Sequence, residues 1–266
     1  MNQDRIDTPT RSPGATASRR DLGRALAGGG LGALVGSAFG ALDADARKKG
    51  KKRKTRTVTR AVRGSITRTF TSTGLITIPK DGSSSDKGPA DPYPSTIEVS
   101  GFTNGVITDV DLLLFDVTHV QPEDIDILLT KDDGRRALVM SDVGVNTPIT
   151  NIDLTLDDEA ATSLPQTPLD SPIDSGTFRP TNYLQPGVDS DAFAAPAPAP
   201  DGNVALSTFD GANPNGTWQL WVMDDENSLV GDLRGWALRI TADVDTGTVD
   251  EQVPTGKDTK KRKRRR

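Results

Sequence analysis

From Thr69 onward the chain alternates apolar and polar residues in short runs broken by Gly, Pro, Asn and Asp. That period of two marks strands with one buried face. In Asp109–Phe115, Val110, Leu112 and Leu114 fall on one side and Asp109 and Asp111 on the other. Ile125, Ile127 and Leu129 alternate in the same way with Asp124 and Asp126. Runs at 75–78, 96–99, 137–140, 152–156, 204–206, 218–223 and 236–241 bring the total to about nine strands, and no window of ten or more residues in this body has a helical period. The pattern predicts an all-β fold, an antiparallel jelly-roll-like sandwich in which each sheet buries one face. Trp218, Leu220 and Val222 share a face that excludes Trp221, and Trp236, Leu238 and Ile240 share another. Both strands are predicted to lie near the middle of the core.

The alternation lapses between 157 and 203, a segment that holds 8 of the 18 prolines and ends in Ala195-Pro196-Ala197-Pro198-Ala199-Pro200. It reads as a Pro-rich loop draped over the sandwich. Ahead of the body, Ser18-Arg19-Arg20-Asp21-Leu22 precedes a Gly/Ala-rich apolar run from Ala25 to Leu42 and an A-x-A site at Ala44-Asp45-Ala46. Residues 1–46 therefore read as a twin-arginine export signal, with a retained membrane anchor as the alternative. Seven glycines between Gly23 and Gly40 keep this run only mildly hydrophobic, which favours the signal. The expectation is a bacterial protein, secreted or held at the cell surface, with no transmembrane span once the signal is removed.

The net charge of −5 hides a partition: residues 47–68 carry +11, residues 257–266 carry +7, and residues 69–256 carry −23. An acidic body thus lies between a basic segment at 47–68 and a tail at 244–266 with a basic end, both expected to be disordered. The body repels nucleic acid, and the tails lack aromatic residues for stacking on bases. An anionic cell surface, lipid or wall polymer, is the better expectation for the tails.

With no cysteine and one histidine, the chain has no thiolate nucleophile, no disulfide and no zinc set. A Ser-His-Asp triad needs a histidine base, and His119 alone is available; it reads as a structural residue, so no catalytic residue is assigned. The carboxylates suit calcium, a hard cation that takes six to eight oxygen ligands. Acidic loops at 132–134, 141–144 and 224–227 offer them, with Asp142, Asp224 and Asp225 as candidate ligands and a solvated acidic face as the plain alternative.

Several segments together resemble the P domain that follows the catalytic domain of subtilisin-like proprotein convertases. The closing pattern of that family is carried by Asn213-Pro214-Asn215-Gly216-Thr217-Trp218-Gln219-Leu220, then Asp224-Asp225, then Gly231-Asp232-Leu233-Arg234-Gly235-Trp236-Ala237-Leu238. Upstream, His119, Asp124-Ile125 and Asp132-Asp133-Gly134 stand at places similar to the family's His, Asp-Leu and Pro-x-Gly positions. The likeness spans 69–243 and implies a β-sandwich that accompanies a protease rather than cleaving peptides itself. The resulting expectation is an exported non-catalytic module that binds or stabilises a protein partner, such as a protease or another surface protein. The alternative is a sandwich hydrolase acting on a glycan through paired carboxylates or a metal.

Overall fold

The computed structural model describes residues 54–255 except 81, 83–86, 145–146, 167–171, 184–190 and 228. The chain divides into Met1–Lys52 and Arg53–Arg266. The first unit, with the predicted export signal, lies outside the described residues, as do 256–266.

Thirteen strands run in chain order among the described residues: β1 (Thr55–Ser72), β2 (Ile76–Ile78), β3 (Gly88–Pro89), β4 (Ser95–Val99), β5 (Val106–His119), β6 (Ile125–Lys131) and β7 (Arg136–Ser141). They continue with β8 (Ile149–Leu156), β9 (Gly176–Phe178), β10 (Thr181–Asn182), β11 (Gly216–Asp224), β12 (Gly231–Leu233) and β13 (Gly235–Pro254). Among the described residues no α-helix occurs, and no helix there is long and apolar enough to cross a membrane. One sheet follows the order β1-β13-β5-β12-β2, with β8 and then β9 joined to β5. The other follows β10-β7-β6-β11-β3, with β4 joined to β11. The predicted sandwich is thus present, antiparallel except where β9 runs parallel to β8 and β10 to β7.

The tryptophans fall as the alternation requires. Trp218 and Trp236 are fully buried between the sheets, and Trp236 Nε1 donates to Ser95 Oγ (2.9 Å). Phe209 packs on Trp218 with ring centroids 4.7 Å apart. Trp221 points out of the second sheet into a smaller cluster with Leu128 and Leu138, and its indole N–H donates to Thr130 Oγ1 (3.0 Å). Phe193 and Ala197 of the Pro-rich segment cover this outer cluster together with Tyr93.

Three expectations need correction. The run at 204–206 is not a strand: Leu206–Phe209 forms a 3-10 turn, because the Asp158 carboxylate accepts the N–H groups of Leu206 (2.9 Å) and Ser207 (2.7 Å) that a ladder would otherwise use. The Pro-rich segment is more than a loop, since it supplies β9 and β10. Thr55–Arg68 and Val244–Pro254, expected to be disordered, pair along their whole length as β1 and β13. Charge dominates the composition there, yet threonine and valine alternate within it, and opposite charges meet across the strands, as in Arg60–Glu251 (3.2 Å) and Arg63–Asp245 (3.3 Å).

Trp236 fills the centre of the core and donates a buried hydrogen bond. Trp236→Ala is expected to cost about 3–5 kcal/mol of unfolding free energy, read from urea denaturation at neutral pH; a loss below about 1 kcal/mol would contradict this placement.

Candidate functional site

The end of β5, the start of β6 and the end of β11 meet at one edge of the sandwich, and their acidic residues form two groups on opposite faces. Pairing of β11 with β6 sets Asp224 opposite Ile125 and Met223 opposite Asp126. Partners across a ladder share a face, so Asp224 turns inward and Asp126 outward.

On the inner face, His119 and Asp224 are both fully buried, with Nε2 and Oδ2 3.6 Å apart. Asp124 joins them from the 3-10 turn Pro122–Asp124 that links β5 to β6, accepting from Gln121 Nε2 (3.0 Å). Gly231 of β12 lies opposite His119, where a Cβ would run into the Thr118 carbonyl and the His119 ring, so glycine lets the backbone close over the imidazole. Burial, then the charge of Asp224, push the Asp124 carboxyl up to about 6, against the Gln121 bond and the His119 ring. His119 Nε2, Asp124 Oδ2 and Asp224 Oδ2 all lack a hydrogen-bond partner. Nδ1 lies 2.7 Å from the Gln121 carbonyl and 3.2 Å from its N–H, contacts that call for opposite tautomers. With these side chains at 4% exposure or less, no surface is left at their reacting atoms for a glycan or a peptide.

On the outer face, Asp126 is almost wholly buried, and burial first, then the charges of Asp225, Asp191 and Asp142, push its carboxyl up to about 8; a Ser141 hydrogen bond opposes this. Ser141 ends β7, and its hydroxyl lies 3.0 Å from Asp191 Oδ1 and 3.2 Å from Asp142 Oδ2. It has one proton to donate among these carboxylates. Asp142 follows with φ 53° in the left-handed region. Parallel pairing of β10 with β7 sets Asn182 beside Ser141; Nδ2 donates to Asp191 Oδ2 (2.9 Å), while Oδ1 is buried without a partner. A cavity of about 540 Å3 adjoins this group, lined by Leu138, Asn182, Asp191, Phe193, Pro200 and Val204.

Of the three candidate ligands, the structure draws Asp142 and Asp225 towards Asp126 and places Asp224 on the far face with His119. The loop at 132–134 serves the opposite end of β6, where Asp132 and Asp133 neutralise the buried Lys131. Asp126 and Asp191 escaped sequence reasoning. Asp126 sits in a strand whose every residue is buried, so its alternation with Ile125 and Ile127 looks like a solvent-facing polar position. The length of the Pro-rich segment was the signal that this face is covered. The donors on the outer face are hard oxygens, one of them orphaned, which matches calcium chemistry. As arranged, no three His, Asp or Glu side chains among the described residues converge as ready-made metal ligands.

Residues 190–240, a range that includes Asp191, β11, β12 and the start of β13, match the sequence model of the Proprotein convertase P-domain family. No curated protein matches the chain. Among solved structures, the serine protease of Aeromonas sobria in complex with a chaperone is similar at 15% identity over 72% of this chain and 28% of that one, with a TM-score of 0.32. The same protease alone gives 14% identity, the same coverage and a TM-score of 0.31. The chain thus spans little more than a quarter of the length of these proteases.

The raised carboxyl of Asp126 fixes a pH dependence. Between the ordinary 3.8 and about 8 the folded chain keeps a proton on Asp126 that the unfolded chain has released. Raising the pH through this window therefore favours unfolding. In chelator, the thermal midpoint is expected to fall from pH 6 to pH 8, and Asp126→Asn to flatten that fall; an equal slope in both proteins would contradict the assignment.

Proposed function

We propose that this chain, a P-domain-like module over its matched segment, acts outside a bacterial cell as a non-catalytic accessory protein that binds or stabilises a protein partner. One observation carries the reading: the matched segment begins at the residues that roof the second sheet, and Asp191, Phe193, Pro200 and Val204 of that roof line the cavity. The cavity is apolar along Leu138, Phe193, Pro200 and Val204 and acidic at Asp191. It suits a partner segment that presents an aliphatic side chain next to a basic one. P domains accompany subtilisin-type proteases, so a separately encoded, secreted serine protease is the first partner to try. The basic segments at either end of the chain would keep the module near an anionic surface, and the twin-arginine pattern accounts for export.

Calcium is the cation that the outer carboxylates suit. Asp126 and Asp191, with Asn182 Oδ1 as a neutral oxygen, would take part in holding it, and Asp142 and Asp225 would have to close in around the ion, since no three carboxylates among the described residues converge on one point as the chain is arranged; Asp224 takes no part from the inner face. A bound dication would replace the proton on Asp126 and relieve the repulsion that Asp225, Asp191 and Asp142 exert on it. Its role is structural, tying β6, β7, β10 and the loop after β11 together.

Two measurements test this reading. At pH 8, calcium is expected to raise the thermal midpoint by several degrees over chelator through mass action on the folded state, and Asp191→Asn to remove most of the rise; equal midpoints with and without calcium would contradict the site. The immobilised chain is expected to retain a secreted subtilisin-type protease from its own bacterium and to hydrolyse neither peptide nor glycan. Phe193→Asp is expected to abolish retention while the far-ultraviolet spectrum keeps the strand content of the sandwich. Retention unchanged by Phe193→Asp would move the partner surface elsewhere, and turnover of a glycan would overturn the reading.

A further inference from the structure

We propose that the ribbon formed by Thr55–Val62 and Gly247–Pro254 is a docking element that lays one of its faces on an anionic lipid bilayer. The inference deepens the surface-binding part of the function proposed above and is independent of the partner cavity.

Beyond Asp243, β13 has no ladder partner except β1, so the two strands continue past the sandwich as a ribbon. Its register sorts the side chains into two unlike faces. Arg56, Val58, Arg60 and Val62 lie opposite Val253, Glu251, Val249 and Gly247, which gives a face of four valines and two arginines with one glutamate, the exposed partner of Arg60 that a phosphate would have to displace. Thr55, Thr57, Thr59 and Ala61 lie opposite Pro254, Gln252, Asp250 and Thr248, a face closed by Thr59–Asp250 (2.6 Å) and Gln252–Thr57 (2.7 Å) hydrogen bonds. Polar residues satisfied among themselves suit water. Two of the valines have no such role in water, Val62 at 38% exposed and Val249 at 53%, while Val58 and Val253 are half-buried beside them. In a protein that folds around its own core, such a face marks an interaction surface.

Charge points to the occupant. The ribbon ends with Thr255 N–H donating to the Lys54 carbonyl (2.8 Å), so the segments that continue from it in both directions leave from one point. Residues 47–54 hold seven Lys/Arg, and residues 257–266 hold eight with one Asp. Aliphatic side chains set between arginines match the headgroup level of a bilayer, where valine meets acyl chains and the arginine stem lies along them while its guanidinium reaches phosphate. Nucleic acid offers valine nothing, and the ribbon has no aromatic residue for base stacking. The acidic body does not defeat the contact: eight paired residues span about 26 Å, whereas charges in physiological salt are screened within about 8 Å. The open backbone edges hold the ribbon at the headgroups and out of the hydrocarbon.

The test is sedimentation of the full chain with vesicles of phosphatidylcholine alone or with one quarter phosphatidylglycerol, in about 0.15 M salt. Binding to the phosphatidylglycerol vesicles is expected, and V62T/V249T, which keeps the β-branched shape, is expected to weaken it roughly tenfold with the melting midpoint unchanged. Arg56→Gln with Arg60→Gln is expected to weaken it likewise. The proposal is overturned if wild type leaves anionic vesicles in the supernatant, if the valine pair variant binds them as wild type does, or if neutral vesicles bind equally well. It is also overturned if the threonine substitutions instead dissolve a dimer seen in gel filtration, or if duplex DNA competes the chain off the vesicles. No protein partner is present in this assay, so its failure leaves the cavity reading standing.

Discussion

The structure depends on β11 being buried on both faces. Trp218, Leu220, Val222 and Asp224 turn into the space between the sheets, while Trp221 turns outward and is just as hidden. A strand in the middle of a sandwich needs only one buried face, so the outward tryptophan demands a roof. Tyr93, Phe193 and Ala197 supply it, anchored where the Tyr93 hydroxyl donates to the Ala194 carbonyl (2.9 Å) and Leu138 N–H to the Asn203 carbonyl (2.8 Å). The Pro-rich segment is thus a wall of the molecule. The cavity exists because that wall stands off the sheet beside Asn182 and Asp191.

The same two-sidedness separates the carboxylates. Residues two apart on one strand would share a face, but Asp124 belongs to the 3-10 turn before β6 and Asp126 to β6 itself, so the two carboxylates join different groups. The inner group, closed over by Gly231, is a sealed polar spot in the core with three orphaned atoms. Sealing keeps substrates away from it, which places the molecule's working surfaces elsewhere. The outer group lies beside the cavity, where a proton on Asp126 keeps the repulsion among the carboxylates in check.

Much of the sandwich was legible in the alternation because burying one face of each strand is the strongest constraint on such a chain. Trp218, Trp236 and the runs at 109–115 and 125–129 fell where the pattern put them. The pattern failed where a second layer changed the rule. Asp126 looked solvated because nothing local announces the roof, and 204–206 looked like a strand because the distant Asp158 takes its N–H groups. At the ends, charge density masked the alternation of threonine and valine that zips β1 to β13. Of the candidate site, Asp142 and Asp225 were legible as acidic loop residues. Their separation from Asp224 was not, since it follows from the register of β11 against β6.

The claim at the centre of this account is that the roofed outer face of the second sheet is the surface that meets a protein partner. Amide hydrogen exchange of the chain, alone and saturated with a protein partner recovered on it, tests that claim most directly. The account predicts new protection concentrated in β7 and in residues 191–204, with the rest of the sandwich unchanged. Protection confined to the opposite sheet, or to the β1–β13 ribbon, would contradict it.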